Sequence, residues 1–306
     1  MTAVPWTDER PVDPIRAAQL VARAFPQLGG LPVVPLASGW DNTVHVVGGQ
    51  WAFRFPRRAV ALPGIRRELA VLPLIAPLLP LSVPAPELIA DDDDPAEPWP
   101  FSGARLIPGR ELADTGLPQS DRVGAAAAVG AFLRVLHAVP TQAVGDVDLP
   151  YDPMSRGWPR ARAESTRENL DRLVADRLWA GDQRVDALLE AAWQLAGPAG
   201  EPVLVHGDLH VRHLLVDGEG AATGVIDWGD LCRADPAVDL SLAYAAFTGP
   251  ARQAFVDEYG LVGPERELRA RAQAIRMSAF LAGYAAADNR PALLAESLAG
   301  LAHAVT

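Results

Sequence analysis

The sequence predicts an α+β fold in two parts: a small N-terminal antiparallel sheet with one packed helix, then a larger, mostly helical C-terminal part. Three observations carry this expectation. Two β-rich runs flank Gly48-Gly49, as a tight hairpin requires. Beyond Gly109, apolar residues recur at helical spacing through most of the remaining chain. A second group of short, β-branched runs, within 202–226, interrupts those helices. The boundary falls at Ile107-Pro108-Gly109, where Pro and Gly punctuate the chain, giving segments 1–107 and 108–306.

Residues 13–24 have the pattern of an N-capped helix, with Asp13 as cap and Pro14 in the first turn. Strands are expected at 33–36 and 44–47, and Gly48-Gly49 turns the chain into a third at 50–55. A helix over 65–79 carries Glu68. Strands at 83–89 and 101–106 are joined by an acidic turn, Asp91-Asp92-Asp93-Asp94, which is too short for a binding tail and reads as solvated. In the second part, helices are expected over 121–137, 165–178, 183–196, 236–247, 250–259 and 263–286, with a terminal helix from Pro291.

The chemistry concentrates in HGDLHVRHLLVDGEGAATGVIDWGD, residues 206–230. The run 202–205 reads as a buried strand entering a loop, 214–216 as a strand leaving it, 217–220 as a turn and 223–226 as the returning strand. This layout brings Asp208, His213 and Asp227 together. Phosphoryl transfer asks a protein for one carboxylate that orients or deprotonates the attacking hydroxyl, and for hard ligands on the magnesium that bridges the nucleotide phosphates. Asp208 fits the catalytic role and Asp227 the metal role. For His213, direct coordination and a structural or water-mediated role both stand open, since imidazole is softer than magnesium prefers. A lone HGD would be an ordinary turn; the two carboxylates at strand ends argue otherwise. His206 is read as loop support, His137 as core or cap, Asp235 as a helix cap and Asp239 as a brace for the loop.

HGDLH, the hairpin, IDWGD, and then Asp235-Pro236 and Asp239-Leu240 resemble the aminoglycoside phosphotransferase and choline-kinase-like family. That family's usual loop has Asn where this chain has His213. The histidine, together with SGWDNT (38–43) and FRFPRR (53–58), is closest to its macrolide 2′-phosphotransferase branch. The resemblance runs to about residue 247. It implies a two-lobed protein-kinase-like fold, with 1–107 as nucleotide-binding lobe and 108–306 as catalytic and acceptor-binding lobe. It also implies ATP or GTP as donor, Mg2+ as cofactor, and transfer to a hydroxyl of a small-molecule antibiotic. Macrolides come first, and aminoglycosides, other natural products or small metabolites are the alternatives. Nucleotide contacts are expected from Ser38 and Gly39, in a phosphate-covering loop without a glycine-rich signature, and from Arg54 in place of a strand lysine. Glu68 is its expected partner, with separate surface charges as the alternative, and Arg105 and Ile107 would shape the hinge. Arg54 and His213 depart from the family pattern and leave open a kinase-like module that binds without turnover; Asp208 and Asp227 together weigh against it.

Composition sets the frame. With 49% apolar and 21% charged residues, the 306-residue chain can bury two cores. A net charge of −11 excludes the basic face that general nucleic-acid binding needs and favours a cationic acceptor. No apolar run is long enough to span a bilayer, and residues 1–14 lack a basic segment followed by an apolar one, so a cytoplasmic protein without membrane partners is expected. The single cysteine, Cys232, excludes an internal disulfide and reads as buried and inert. A monomer is favoured, with no feature of the sequence fixing the oligomeric state.

Overall fold

A computed structural model describes residues 8–39, 41–197 and 200–306. Trp40 of the SGWDNT motif and residues 1–7, part of the segment read for a signal sequence, lie outside the described residues. The chain forms two compact units. The first comprises Met1–Pro77, Val83–Ile107 and Val144–Asp148; the second comprises Leu78–Ser82, Pro108–Ala143 and Leu149–Thr306.

The first unit opens with α1 (Pro14–Ala24), where the Asp13 carboxylate accepts from Arg16 N at 2.7 Å and satisfies one orphan donor of the first turn. Then come β1 (Val33–Ser38), β2 (Asn42–Val47) and β3 (Trp51–Pro56), followed by α2 (Leu62–Ile75), β4 (Pro86–Asp91) and β5 (Pro100–Arg105). They make a five-stranded antiparallel sheet in the order β1-β2-β3-β5-β4. The expected hairpin is present: Gly48 and Gly49 have φ of 60° and 70°, the left-handed pair that a two-residue turn of matching twist requires. Alternation along β3 buries Phe53 and Phe55, which pack with Phe101 of β5 and with Leu20 and Val21 of α1. The helix α2 begins earlier than the apolar pattern suggested and stops at Ile75, before Pro77 and Pro80. Its buried face carries Glu68.

The second unit holds β6 (Arg110–Glu111), α3 (Val123–Ala138), α4 (Ala163–Ala175), α5 (Gln183–Trp193), β7 (Val203–Val205), β8 (Leu214–Val216), β9 (Ala222–Val225), β10 (Cys232–Ala234), α6 (Ala237–Ala246), α7 (Gly249–Tyr259), α8 (Pro264–Ala287) and α9 (Pro291–His303). The α+β class therefore holds. The strand layout differs in one respect from the expectation of three consecutive strands. β7 pairs antiparallel with β10, whereas β8 and β9 form a hairpin that β6 extends. The loop that carries Asp208 thus crosses from one two-stranded ladder to a separate three-stranded one. Trp228, fully buried after β9, donates from Nε1 to Val225 O at 3.0 Å and locks the second crossing.

Candidate active site

The loop after β7 is held from beneath by one carboxylate. Asp239, buried in the first turn of α6, accepts from His206 N at 2.7 Å and Gly207 N at 3.0 Å, while His137 Nε2 lies 3.3 Å away. Burial alone would raise its pKa; the His137 contact and the backbone donors overcome that and lower it. Gly207 has φ of 90°, and a Cβ there would sit 2.2 Å from Asp230 O, so only glycine closes the turn. His206 donates from Nε2 to Ile226 O at 2.9 Å and accepts at Nδ1 from Asp208 N at 3.2 Å. Burial pushes its pKa down to about 4, only partly offset by Asp239. This imidazole is a neutral strut between two segments.

Asp208 emerges from that scaffold with its side chain about a quarter exposed. Burial raises its pKa, and Arg156 and His213 pull against the rise. Two side chains orient it. Arg156 Nη2 lies 3.0 Å from Oδ1, and His210 Nε2 lies 3.6 Å from Oδ2. His210 accepts at Nδ1 from Arg212 N at 3.3 Å, which puts its proton on the nitrogen facing Asp208. Its ring also stacks on His213, with centroids 3.8 Å apart. Asp208, His210 and His213 have ligand atoms within 4.8 Å of one another, and His210 Nε2 faces the Asp208 carboxylate from just beyond hydrogen-bond distance.

His213 closes the loop. Its Nδ1 donates to Asp208 O at 2.8 Å, so the neutral ring offers a lone pair at Nε2, and that nitrogen lies 3.3 Å from Asp227 Oδ2. Two acceptors at this distance need a proton or a cation between them. Burial lowers the His213 pKa, and the hydrogen bond and charge of Asp227 more than reverse it. Asp227 itself has φ of 66°, a left-handed conformation that Asp tolerates better than most residues, and its carboxylate is half exposed. The donor set fits a hard divalent cation through the carboxylate and a more loosely held contact through the imidazole.

Sequence reasoning missed Arg156. It donates from Nη1 to Gly207 O and to Asp230 Oδ2, both at 2.6 Å, besides meeting Asp208. Asp152 positions it: its two carboxylate oxygens accept from Arg156 N and Gly157 N at 2.7 and 2.9 Å, and left-handed Asp152 and Ser155 turn the chain back. No motif marks this loop; the one available signal was the cluster of Asp, Ser and Gly around Arg156, followed closely by Arg160 and Arg162.

In the first unit, Arg54 Nη1 donates to both Glu68 oxygens at 2.7 Å. With its amide turned so that Oδ1 faces the guanidinium, Asn42 accepts from Nη2 and Nε at 2.8 and 3.1 Å. Ser38 Oγ accepts from Arg57 Nη1 at 2.8 Å, and Gly39 N donates to Asn42 O at 2.9 Å, so the loop is tied to β2 and to Arg57. Arg105 is exposed, stacks over Trp51 at 4.0 Å and lies 3.4 Å from Glu87. Ile107, partly buried, ends this unit. Cys232 is buried on β10, and desolvation pushes its thiol up to about 12.

Residues 32–275 match the phosphotransferase enzyme family. The chain belongs to that family. An aminoglycoside 3′-phosphotransferase of Streptomyces fradiae is 32% identical over 191 residues, which is 60% of this chain and 63% of that protein. The chain thus matches somewhat under two thirds of that relative's length. Among solved structures, the GDP and kanamycin complex of APH(2")-IIia superposes with a TM-score of 0.69 at 20% identity, over 95% of this chain and 98% of the other. The apoenzyme of macrolide 2′-phosphotransferase MphH from Brachybacterium faecium gives 0.60 at 25% identity, over 93% and 97%. Aminoglycoside and macrolide members therefore stand on an equal footing, and the ranking of macrolides first is not borne out at that resolution. Among the described residues, no helix is long and apolar enough to cross a membrane.

Proposed function

We propose that this protein is a nucleotide-dependent phosphotransferase acting on a hydroxyl of a small molecule. The observation that carries the reading is the convergence of Asp208 and His213, on the loop after β7, with Asp227, just past β9, the first loop being braced by Asp239 through two backbone N–H groups. Residues 1–107 serve as the nucleotide-binding part and 108–306 as the catalytic and acceptor-binding part. ATP or GTP is the donor. Arg54, aligned by Glu68 and Asn42, meets the phosphates, and Ser38 and Gly39 cover them, with Arg105 and Ile107 at the base end.

In the transfer, Asp208 accepts the hydroxyl proton while the acceptor oxygen bonds to the γ-phosphorus. The bond from that phosphorus to the bridging β-oxygen breaks, and nucleoside diphosphate leaves. Arg156 and His210 aim the two Asp208 oxygens, which is the positioning that a loose transition state rewards. Asp227 and His213 would hold Mg2+, which neutralises phosphate charge when bound. The related drug-modifying enzymes support an antibiotic acceptor. His213, SGWDNT and FRFPRR favour a macrolide, and the S. fradiae relative favours an aminoglycoside.

The test is a turnover assay with ATP and GTP, with magnesium, against both drug classes, read by mass spectrometry for an added phosphoryl group. Nucleotide binding without transfer to any hydroxyl compound would instead favour a non-catalytic module.

A further inference from the structure

The loop from His206 to His213 is held at its two ends by different elements. Asp239 grips the first two residues, through His206 N and Gly207 N. The far end meets the segment that begins at Pro108 and runs along the β8–β9 hairpin. Thr223 Oγ1 donates to Pro108 O at 2.6 Å, and Gly109 lies so close to β8 that a Cβ there would meet Val216 O at 2.8 Å. Arg110 and Glu111 pair with Val216 and Leu215, and Ala113 N donates to Val211 O at 3.1 Å. Glu111 adds a side-chain tie, its Oε2 accepting from Arg212 Nε at 3.2 Å. Arg290, just before α9, donates from Nη2 to the same oxygen and to Asp114 Oδ2, both at 2.9 Å.

The peptide between Val211 and Arg212 is where this grip reaches the chemistry. A peptide unit is planar, so fixing its C=O also fixes its N–H. Here Ala113 holds the C=O, and the N–H donates to His210 Nδ1 at 3.3 Å. That contact leaves His210 Nε2 facing Asp208 Oδ2 from 3.6 Å, while the residue after Arg212, His213, brings its own Nε2 to 3.3 Å from Asp227. We propose that Glu111 is a positioning residue for the transfer: acting through Arg212, it holds the far half of the loop so that His210 and His213 face Asp208 and Asp227. The Glu111 and Arg212 side chains are about a quarter exposed, so their ion pair adds little to stability. Its effect lies in geometry, because a reacting group displaced slightly loses far more in rate than such a pair gives to folding. Arg290 shares the Glu111 oxygen but docks α9, which makes it the control for a merely structural role.

The role rests on the phosphotransferase reading, and its test includes a readout that needs no turnover. The chain has six histidines, so the ring NMR signals of the full-length protein can be assigned by substitution. Glu111→Ala should move the signals of His210 and His213 and leave His45, His206 and His303 in place, with the melting point lowered by less than about 4 °C. With nucleotide, magnesium and acceptor, Glu111→Ala and Arg212→Met should each lower kcat about tenfold or more while nucleotide KM changes less than about twofold. The double variant should be no worse than either single one, as expected for two residues acting as a unit. Glu111→Gln, which keeps an acceptor for Arg212 Nε, should recover most of the loss, and Arg290→Met should keep kcat within about threefold of wild type. Additive losses, equal damage from Arg290→Met, or unmoved His210 and His213 signals would overturn the role. A wild-type chain that transfers phosphoryl to no hydroxyl compound would end the phosphotransferase reading alone, and the histidine signals would still decide whether Glu111 holds the loop.

Discussion

Arg54 in the first unit and Arg156 in the second are both guanidiniums laid on a carboxylate, yet they are held differently. Arg54 donates from Nη1 to both Glu68 oxygens and from Nη2 and Nε to Asn42. Arg156 meets Asp208, Asp230 and Gly207 O while its Nε is buried without a hydrogen-bond partner, and Arg162 and Arg276 line a small recess with it. The first pair fixes the geometry between strand β3 and helix α2. In the second unit, Arg156 divides itself between Asp208, Asp230 and a backbone carbonyl and so ties the loop after β7 together.

The contrast can be broken at its strongest point by Asp227→Ala. Turnover should be lost and with it the response to magnesium, while His213→Asn, which exchanges the imidazole nitrogen for an amide oxygen, should retain measurable activity; equal damage from both would remove the distinction between the two ligands. Next in size is Asp208→Asn, for which kcat should fall by roughly a hundredfold or more with nucleotide affinity kept, as separate turnover and calorimetric titrations would show. Near-wild-type turnover would mean that Arg156 orients a bystander. Arg54→Lys tests the first unit. Lysine cannot reach both Glu68 oxygens and Asn42 together, so nucleotide should bind about tenfold more weakly, with kcat changed less than KM.

A smaller effect concerns the strut beneath the loop. The folded-state pKa of His206 is about 4, below its usual 6.5, so between these values the unfolded chain holds the extra proton and stability falls as pH falls. From pH 7 to pH 5 that amounts to about 2 kcal/mol, measurable by urea unfolding and expected to shrink in His206→Asn. A stability curve flat over that window would mean that His206 is not held neutral. Smallest of all, Cys232 should resist alkylation at pH 8 in the folded protein and react once urea unfolds it, because burial lifts its thiol to about 12.

What could be read without coordinates was local. The cap at Asp13, the left-handed pair Gly48-Gly49, the alternation that buries Phe53 and Phe55, and the carboxylates of HGDLH and IDWGD follow from spacing within a few residues. Asp239 was read as a brace for the loop and Cys232 as buried and inert, and the contacts that make them so lie far along the chain. Ser38 and Gly39 were legible as a loop, but their ties to Arg57 and Asn42 were not. The pairing of β7 with β10 escaped because three-residue strands carry no register of their own; the partner is chosen by the loops that bring it near. Arg156, His210 and Arg276 escaped for a related reason. A lone arginine or histidine has the same sequence signature on a solvated face as beside a catalytic carboxylate. The sequence by itself thus determined most of the elements and where the candidate carboxylates lie along the chain. Only the tertiary structure decided which charges meet, because ion pairing and desolvation depend on distances that helices and loops remote in sequence set together.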